Sequence, residues 1–341
     1  MILRDGPKYP PYPHALIHPL GPLFRHLPLS LRRHLLYLRA YRRWGNFQVP
    51  QLWSEKMAWR VLHDERTILK VGADKLASKE YMRALAASSG GTIPLQIPET
   101  YWVGTSINDL RQHEAELPAR WVLKPNHTCG RFVLIDSELA PIDWEQLERE
   151  TARWLLPDEE ITVMGHRAYR GARPLLFVEQ RVGSSAASPN DLRVFGFSSQ
   201  NGKPNVWEIQ VSTGSHSAKF TNYRFTEEYV RKERYHFRDG RVEDRTLIET
   251  SSHELRAAIL EFGSHAIEPF DHVRVDFYLD QGNLWFGELA VYPGAGLVTF
   301  PIEIDRERGA LWQLPDLTVP DPRESEWRAL LEETAKGTLQ R

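Results

Sequence analysis

The feature that most constrains the fold of this 341-residue chain is a pair of apolar-rich segments near its C-terminal end. Residues 273–279 alternate apolar and polar side chains, which is the period of a β-strand with one buried face. Residues 284–289 form a second apolar segment, and the turn sequence Asp280-Gln-Gly-Asn separates the two. The two segments are therefore predicted to pair as neighbouring strands of a sheet.

Asp276 lies on the polar face of the first of these strands, beside Arg274, and Glu288 lies at the end of the partner strand. Aspartate is disfavoured within strands, so Asp276 is an unusual residue at this position. Two carboxylates on paired strands, with an arginine beside them, form an oxygen-ligand site for Mg²⁺ that holds phosphate oxygens. The arginine can neutralise charge on a transferring phosphoryl group. A cross-strand Arg–Asp pair on a solvated face is the alternative interpretation.

A second candidate site begins at Lys124, where the predicted strand Trp121-Val-Leu-Lys ends. The turn that follows leads to another predicted strand at 132–135. A turn of small residues between two strands can offer backbone N–H groups to phosphates. This is not a P-loop, which needs Gly-Lys-Ser/Thr at the start of a helix. Cys129 in the turn is interpreted as a small turn residue rather than a nucleophile, because no base is fixed beside it.

A third candidate is the segment Phe177-Val-Glu-Gln-Arg-Val, in which Glu179 ends an apolar strand. A chain that crosses between lobes at such a point could pair its backbone with an adenine edge while the carboxylate takes a ribose hydroxyl. The alternative interpretation is a strand terminus that enters solvent.

The rest of the chain alternates helical patterns with short apolar segments, which indicates an α+β or mixed α/β class. The predicted helices are 29–44, 54–66, 74–87, 144–156 and 252–267, the last capped by Ser251 or Ser252. Further predicted strands are 174–179, 192–197 and 206–211, with a hairpin turn at Gln200-Asn-Gly-Lys. The proline-rich first 30 residues are predicted to form an extended arm, and the tail after Pro315 is predicted to be peripheral.

The predicted helix at 29–44 is strongly basic, with five arginines among leucines and tyrosines. One interpretation is a face for a membrane surface or an acidic substrate. The other is a solvated helix with one buried side, which is favoured because the rest of the chain is not basic.

The net charge and the number of cysteines argue against several classes of function. The formal net charge of −2 gives no overall attraction to nucleic acid or anionic lipid, so neither is an expected partner. The single cysteine excludes an internal disulfide framework and a multi-cysteine zinc site. No stretch approaches the ~20 apolar residues of a membrane span, and the N-terminus does not follow a signal-peptide pattern, so a cytoplasmic location is expected.

Taken in order, these motifs resemble the ATP-grasp superfamily, and most closely its TupA-like family from polysaccharide and peptidic-polymer gene clusters. The resemblance covers about residues 53–305. Besides the three candidate sites it includes Trp53-Ser-Glu-Lys-Met-Ala-Trp, the pair Asp74-Lys75, Asp191-Leu-Arg-Val-Phe and Phe300-Pro-Ile-Glu-Ile-Asp. The Arg-Val-Asp-Phe and Glu-x-x-x-x-Pro-Gly patterns also look like those of D-alanine–D-alanine ligases.

The resemblance implies an ATP-grasp fold, with a nucleotide cleft between two α+β lobes and an N-terminal helical lobe. The implied segments are 1–115 (arm and helical lobe), 116–182 (lid lobe), 183–315 (C-terminal lobe with the metal site) and 316–341 (tail). Each implied site residue has a role of its own. Lys75 and Lys124 hold ATP phosphates; Asn126, His127 and Gly130 belong to a mobile lid at 126–131; Glu179, Gln180 and Val182 form the adenine linker; Asp191 contacts the cofactor; Arg193 and Arg274 meet the γ-phosphate or an acyl phosphate; Asp276 and Glu288 hold Mg²⁺.

The activity implied is ligation of a small-molecule carboxylate to an amine, with ATP and Mg²⁺ as cofactors, through an acyl phosphate. The biosynthesis of a polysaccharide, peptidic polymer or natural product is the implied setting. A small-molecule or sugar kinase, a glycosyltransferase and a non-catalytic nucleotide-binding protein are the alternatives. Two departures from the family pattern bear on this choice: Ala290 stands where many relatives have a metal-binding asparagine, and the lid has a single glycine. Histidines 166, 216 and 236 are interpreted as ordinary polar residues.

Overall fold

The computed structural model describes residues 2–4, 24–91, 93–157, 159–183, 190–198, 205–213, 221–232, 248 and 251–337. The chain divides into two compact units. The first unit comprises Met1–Leu76, Glu99–Arg181 and Tyr292–Arg341, and the second comprises Ala77–Pro98 and Val182–Val291. The four-segment division inferred from the resemblance stays a prediction.

Helices and strands occur throughout the described residues, so the predicted α+β class is confirmed. The helices are α1 (Leu29–Tyr41), α2 (Trp53–His63), α3 (Thr67–Ala73), α4 (Lys75–Ser88), α5 (Ile107–Gln112), α6 (Trp144–Thr151), α7 (Glu159–Met164), α8 (Arg167–Gly171), α9 (His253–Ile267), α10 (Ile302–Leu311) and α11 (Glu324–Gly337). The strands are β1 (Ile2–Arg4), β2 (Leu95–Gln96), β3 (Thr100–Gly104), β4 (Arg120–Pro125), β5 (Phe132–Asp136), β6 (Leu176–Gln180), β7 (Asn190–Phe197), β8 (Asn205–Thr213), β9 (Thr221–Phe225), β10 (His272–Asp280) and β11 (Asn283–Ala290).

The first unit contains a five-stranded sheet in the order β1-β5-β4-β6-β3, and all of its neighbouring strands are antiparallel. Trp121 and Leu123, two residues apart on β4, lie in a buried apolar cluster. Leu110 of α5 and Leu147 of α6 pack into the same cluster, so the two helices cover one face of the sheet. This packing buries the apolar face of β4 and carries Lys124 to the end of the strand.

The basic segment at 29–44 is neither wholly solvated nor wholly available to a partner. Arg32 is buried and donates hydrogen bonds to the carbonyls of Thr162 (2.9 Å) and Val163 (3.2 Å). Arg33 is fully buried and donates to the Ala295 carbonyl at 3.0 Å. Two of the arginines therefore bind backbone carbonyls of the same unit, because burying a guanidinium requires such partners. The helix ends at Tyr41 rather than Trp44, because Arg42 adopts a left-handed conformation (φ 57°).

The tail after Pro315 is predicted to be peripheral, but part of it packs on the first unit. It contains α11, which contacts α3, and Trp327 of this helix is only 1% exposed. The Trp327 indole N–H donates to Asp321 Oδ2 at 3.0 Å. A buried tryptophan with a satisfied N–H anchors a helix strongly, so this part of the tail belongs to the core of the first unit. No helix in the described part of the chain is long and apolar enough to cross a membrane.

The second unit contains a six-stranded sheet in the order β2-β11-β10-β7-β8-β9. Its neighbours are antiparallel except β2 and β11, which are parallel. Helix α9 packs on one face of this sheet, and Ile259 and Phe262 are buried there. The helix starts after Ser252, whose hydroxyl accepts a hydrogen bond from the Leu255 N–H, so Ser252 is the cap. The predicted strands of this unit are confirmed; the Gln200-Asn-Gly-Lys turn, the N-terminal prolines up to Pro22, His216 and His236 lie outside the described residues.

Candidate active site

Five charged residues on neighbouring strands of the second unit form what we call the acid–arginine cluster. In the register of the sheet, Asp276 of β10 lies opposite Glu288 of β11 on one side and Arg193 of β7 on the other. Arg274 is two residues before Asp276 on the same strand, and Asp191 is two residues before Arg193. Because side chains two apart on a strand share a face, all five project from the same face of the sheet.

A β-bulge places Glu288 opposite Asp276. Asp276 pairs with Glu288 but Phe277 pairs with Phe286, so Gly287 is the extra residue of β11. A Cβ atom on Gly287 would come within 2.9 Å of the Asp276 carbonyl oxygen. Only glycine therefore allows this close approach, and the bulge directs Glu288 toward the face that carries Asp276.

The arginines hold the carboxylates of the cluster in place. Arg274 donates from Nε and Nη2 to the two oxygens of Asp276, both at 2.6 Å, and Nη2 lies 3.4 Å from Glu288 Oε1. Arg193 Nε lies 3.7 Å from Asp276 Oδ2, and its Nη2 donates to Asp191 Oδ2 at 3.3 Å. The structure thus brings together all five residues that the sequence had assigned to phosphate, cofactor or metal binding in this part of the chain.

Burial raises the pKa of Asp276 to about 6, against the opposing effect of Arg274 and Arg193. The neighbouring Glu288 carboxylate also raises this pKa, since two like charges share the site. A divalent cation would favour the ionised form of Asp276.

Mg²⁺ fits the chemistry of this cluster. Asp276 and Glu288 supply carboxylate oxygens, and Mg²⁺ sites commonly use one or two carboxylates together with substrate phosphates. The described residues contain no group of three or more acidic, histidine or cysteine side chains arranged for a metal, so phosphate oxygens and water would complete the coordination. Ala290 lies opposite Arg274, is 5% exposed and offers no side-chain ligand.

In the first unit, Lys124 and Glu179 form one ion pair. They lie on the adjacent strands β4 and β6, and Lys124 Nζ donates to Glu179 Oε1. Both side chains are largely buried, with 18% of Lys124 and 8% of Glu179 exposed. The family resemblance implies that Lys124 binds ATP phosphates and that Glu179 lies near the ribose. The structure adds that these two side chains contact each other directly.

Lys75, at the start of α4, is joined to the predicted lid. The Lys75 ammonium donates to the Thr128 carbonyl, and the Leu76 N–H donates to Asn126 Oδ1 at 2.9 Å. The side-chain amide of Asn126 donates in turn to the Arg173 carbonyl at 3.1 Å. Asn126 is fully buried, so it ties the start of the turn to the start of α4.

Two further residues of this region have a structural role that the sequence did not reveal. Asp74, the partner of Lys75 in the Asp-Lys pair, binds Arg173 through two hydrogen bonds of 3.1 Å. A bidentate ion pair with a buried carboxylate orients the chain around it. The position of the Lys75 ammonium near the turn therefore depends on contacts between segments about 100 residues apart in the sequence.

The remaining predicted residues are placed as follows. His127 is buried and Gly130 has a positive φ of 75°, which glycine adopts without strain. The Gln180 N–H donates to the Glu99 carbonyl at 2.8 Å, so this backbone group is already bonded within the first unit. Val182 is half-buried and begins the second part of the second unit. Mobility of the 126–131 turn and the adenine-linker role of residues 179–182 stay predictions.

Sequence reasoning missed a polar extension of the acid–arginine cluster. Glu208, Gln210 and Ser212 of β8 and Arg224 of β9 are buried and lie on the same face, since Gln210 is opposite both Arg193 and Arg224. Gln210 Nε2 donates to Glu208 Oε1 at 2.7 Å, and Arg193 Nη1 donates to Ser212 Oγ at 3.3 Å. The alternation Glu-Ile-Gln-Val-Ser could have revealed this face, because it puts three polar residues on one side of an otherwise apolar strand.

The family assignment that these motifs suggest was tested by comparison with models of protein families. The model described as TupA-like ATP-grasp matches residues 55–313, about three quarters of the chain. The chain belongs to the TupA-like ATP-grasp family. Membership confirms the resemblance drawn from the sequence motifs and, with it, the ATP-grasp fold class. No curated protein sequence matches this member of the family.

Solved structures similar to this TupA-like ATP-grasp protein include three ligases or synthetases. The N5-carboxyaminoimidazole ribonucleotide synthetase of Thermus thermophilus is 13% identical, with a TM-score of 0.36 over 78% of this chain and 52% of that one. The D-alanine–D-alanine ligase of Helicobacter pylori is 11% identical, with a TM-score of 0.38 over 72% and 62%. The phosphoribosylamine–glycine ligase of Thermotoga maritima is 9% identical, with a TM-score of 0.41 over 75% and 61%. The chain spans roughly half to three fifths of the length of these proteins.

Proposed function

We propose that this TupA-like ATP-grasp protein is an ATP- and Mg²⁺-dependent ligase that joins a small-molecule carboxylate to an amine and releases ADP. The observation that carries the proposal is the opposition of Asp276 and Glu288 on one sheet face, with Arg193 and Arg274 beside them. Family membership supports ATP as the nucleotide. Synthesis of a polysaccharide, peptidic polymer or natural product is the setting that the family resemblance suggests.

The charge of the acid–arginine cluster supports a role for a divalent cation. Asp191, Asp276 and Glu288 carry three negative charges when ionised, and Arg193 and Arg274 carry two positive ones. The net charge of −1 would repel a triphosphate. Mg²⁺ held by Asp276 and Glu288 would supply the positive charge that neutralises phosphate oxygens. Arg274, which now bonds both acids, would then be free to face a phosphoryl group.

The proposed reaction has two steps. A carboxylate oxygen of the acid attacks the γ-phosphorus of ATP, the bond from this phosphorus to the β–γ bridging oxygen breaks, and ADP leaves. The amine nitrogen then attacks the carbonyl carbon of the acyl phosphate, the bond from that carbon to the phosphate oxygen breaks, and phosphate leaves while the nitrogen loses a proton. Positioning and electrostatic stabilisation account for such chemistry, so no protein nucleophile is needed.

Each cationic residue has a place in this proposal. Arg193 and Arg274 stabilise charge on the transferring phosphoryl group, and Lys124 and Lys75 bind phosphate oxygens of ATP. Lys124 exchanges its contact with Glu179 for a phosphate when the nucleotide binds, and Glu179 is then available to a ribose hydroxyl. The backbone of the 126–131 turn covers the phosphates.

The test is ADP release, screened across acids and amines with ATP and Mg²⁺ present. Asp276→Asn and Glu288→Gln are each expected to lower turnover by at least about a hundredfold, since charge at the metal is lost. Asp280→Asn, at the end of the same strand and outside the cluster, is the matched control and should retain activity. Full turnover by both cluster variants would refute the metal assignment.

A second measurement separates the ligase from its alternatives. Hydroxylamine added with ATP and the active acid should give a hydroxamate, because it traps an acyl phosphate. Transfer of label from the γ-phosphate to a stable hydroxyl group would instead identify a kinase. ATP binding without ADP formation in the presence of any acid–amine pair would indicate a nucleotide-binding protein without turnover, in which Ala290 leaves the metal short of a ligand.

A further inference from the structure

Two adjoining cavities in the first unit are not used by the proposed reaction. The larger has a volume of about 510 Å³ and lies between the end of α2, helix α3 and helix α8. The smaller has a volume of about 350 Å³ and lies between α1 and the end of α2. Arg167 lines both, and residues 62–63 line the smaller while residues 64–66 line the larger. The two cavities are therefore neighbours that meet at Arg167.

The larger cavity, which we call the cationic cavity, carries an excess of positive charge. Four of its lining residues are basic and two, Asp64 and Glu65, are acidic. Arg66 donates to both oxygens of Asp64, at 2.9 and 2.7 Å, and Arg167 forms an ion pair with Glu65. Each acid in the cavity wall is thus already matched by an arginine.

The excess charge belongs to Lys70 and Arg170. Within the described residues neither has an acidic hydrogen-bond or ion-pair partner, so the cavity wall has a net charge of +2. The Lys70 stem lies against Gly171, where an added Cβ would be 3.2 Å from the Lys70 Cδ. Glu324 lies within electrostatic range of Lys70, but it accepts hydrogen bonds from Thr67 and Arg328 and does not line the cavity.

The smaller cavity, which we call the apolar cavity, has a different character. Leu29, Phe47 and Leu62 contribute apolar walls, and Ser30, His34, Gln48, His63 and Arg167 complete the lining. The His34 ring stacks on Phe47, with centroids 4.2 Å apart, and burial lowers the pKa of this histidine. Arg167, at the boundary, is the arginine of the apolar cavity and also lines the cationic cavity.

We propose that the two cavities form one binding site for an amphiphilic phosphate monoester, with its phosphate at Lys70 and Arg170 and its apolar group in the apolar cavity. A phosphate monoester carries about −1.5 to −2 charges at neutral pH, which matches the +2 of the cationic cavity. Arginine and lysine together suit phosphate, since one offers a planar fork and the other a mobile point charge. This site is independent of the proposed ATP-dependent ligation.

The probe for this site is octyl phosphate, used below its critical micelle concentration and titrated by calorimetry. It is expected to bind at least tenfold more tightly than inorganic phosphate, because each buried methylene is worth roughly a factor of four in affinity. Octyl glucoside, which has the same chain and no charge, is expected to bind at least tenfold more weakly than octyl phosphate. Equal affinity for octyl phosphate and inorganic phosphate would overturn the proposal.

Substitutions in each cavity test the contributions of the cationic cavity and the apolar cavity separately. Lys70→Ala with Arg170→Ala should weaken octyl phosphate at least tenfold, whereas Arg111→Ala with Arg149→Ala, two arginines of the same unit outside the cavities, should change nothing. Leu62→Gln should weaken octyl phosphate but leave inorganic phosphate unchanged. Retained affinity in the Lys70/Arg170 variant, with an unaltered thermal unfolding transition, would refute the assignment.

Two further experiments show where octyl phosphate binds and whether the ligand is a lipid headgroup or a soluble phosphate ester. Saturating ATP with Mg²⁺ should leave octyl phosphate binding unchanged, and so should Lys124→Met; displacement by ATP would place the probe at the nucleotide site and overturn the proposal. Sedimentation with phosphatidylcholine vesicles containing phosphatidic acid tests the source of the ligand. If the protein sediments with these vesicles and the Lys70/Arg170 variant does not, the ligand is a lipid headgroup. If the protein does not sediment with the vesicles but binds octyl phosphate tightly, the ligand is a soluble phosphate ester.

Discussion

His166 is a buried histidine whose protonation should govern the acid stability of the first unit. Its ring stacks on Tyr292, with centroids 4.7 Å apart, and its Nε2 has no hydrogen-bond partner among the described residues. Burial, assisted by the positive charge of Arg33, lowers the pKa of His166 from 6.5 to about 3. The Tyr169 ring also faces the His166 ring, with centroids 6.2 Å apart.

The direction and size of the effect follow from proton linkage. Between pH 6.5 and about 3 the unfolded chain binds a proton at this histidine and the native state does not, so stability is present above pH 6.5 and is lost as the pH falls. At pH 5.0, which is ~1.5 units below the unfolded pKa, the loss is about 2 kcal/mol at ~1.36 kcal/mol per unit.

The perturbation that isolates this group is His166→Phe, which keeps a ring against Tyr292 and removes the titration. Urea unfolding followed by tryptophan fluorescence reports mainly on the first unit, because all tryptophans except Trp207 and Trp285 lie there. Between pH 7.5 and 5.0 the wild type is expected to lose about 2 kcal/mol more than the variant. The difference between the two proteins is the useful quantity, since it cancels the titration of the other histidines.

The matched control is His113→Gln, because the His113 side chain is exposed and lies on the surface, 3.4 Å from Glu116. An effect of His166→Phe that this variant does not share is specific to the buried histidine. If His166→Phe and the wild type lose the same free energy between pH 7.5 and 5.0, His166 is not held neutral by burial and the reasoning fails.

Three other substitutions test the remaining parts of the structure. Gly287→Ala should cost about 1–3 kcal/mol and lower Mg²⁺–ATP affinity, since the new methyl group would press on the Asp276 carbonyl; an unchanged affinity by calorimetry would contradict the role of the bulge. Lys124→Met should raise the KM for ATP at least about tenfold and also lower the urea midpoint of the first unit, because the largely buried Glu179 loses its ion-pair partner; a KM equal to that of the wild type would exclude a phosphate contact. Trp327→Ala should destabilise the first unit by about 3 kcal/mol or more, measured by urea unfolding; a change within ~0.5 kcal/mol would show that α11 does not belong to the core.

The charges of the basic segment 29–44 show how tertiary contacts change the meaning of a sequence pattern. Five arginines between residues 29 and 44 suggest an outward-facing positive surface. Arg43, however, donates to Asp305 Oδ2 at 2.8 Å, in addition to the carbonyl contacts of Arg32 and Arg33. The charge that remains for an external partner is therefore smaller than the number of arginines in the segment indicates.

Local sequence determined seven of the strands, β4 to β8, β10 and β11, and the hairpin that carries the metal candidates, whereas the short strands β1, β2, β3 and β9 were not predicted. Alternation in residues 273–279 placed Arg274 and Asp276 on one polar face, and the turn at Asp280 brought Glu288 back along the partner strand. These predictions succeeded because strand period and turn chemistry act between residues close in the chain. The order of the motifs was likewise sufficient to indicate the family.

Only the tertiary structure decided which charged groups meet. The Lys124–Glu179 pair depends on β4 and β6 being neighbours, the binding of Arg173 by Asp74 joins residues 99 positions apart, and the extension of the cluster to Gln210 depends on β8 lying beside β7. Ion pairs and hydrogen bonds act over a few ångströms, so their partners are set by how distant segments pack, and a single sequence carries no local pattern from which that packing can be read.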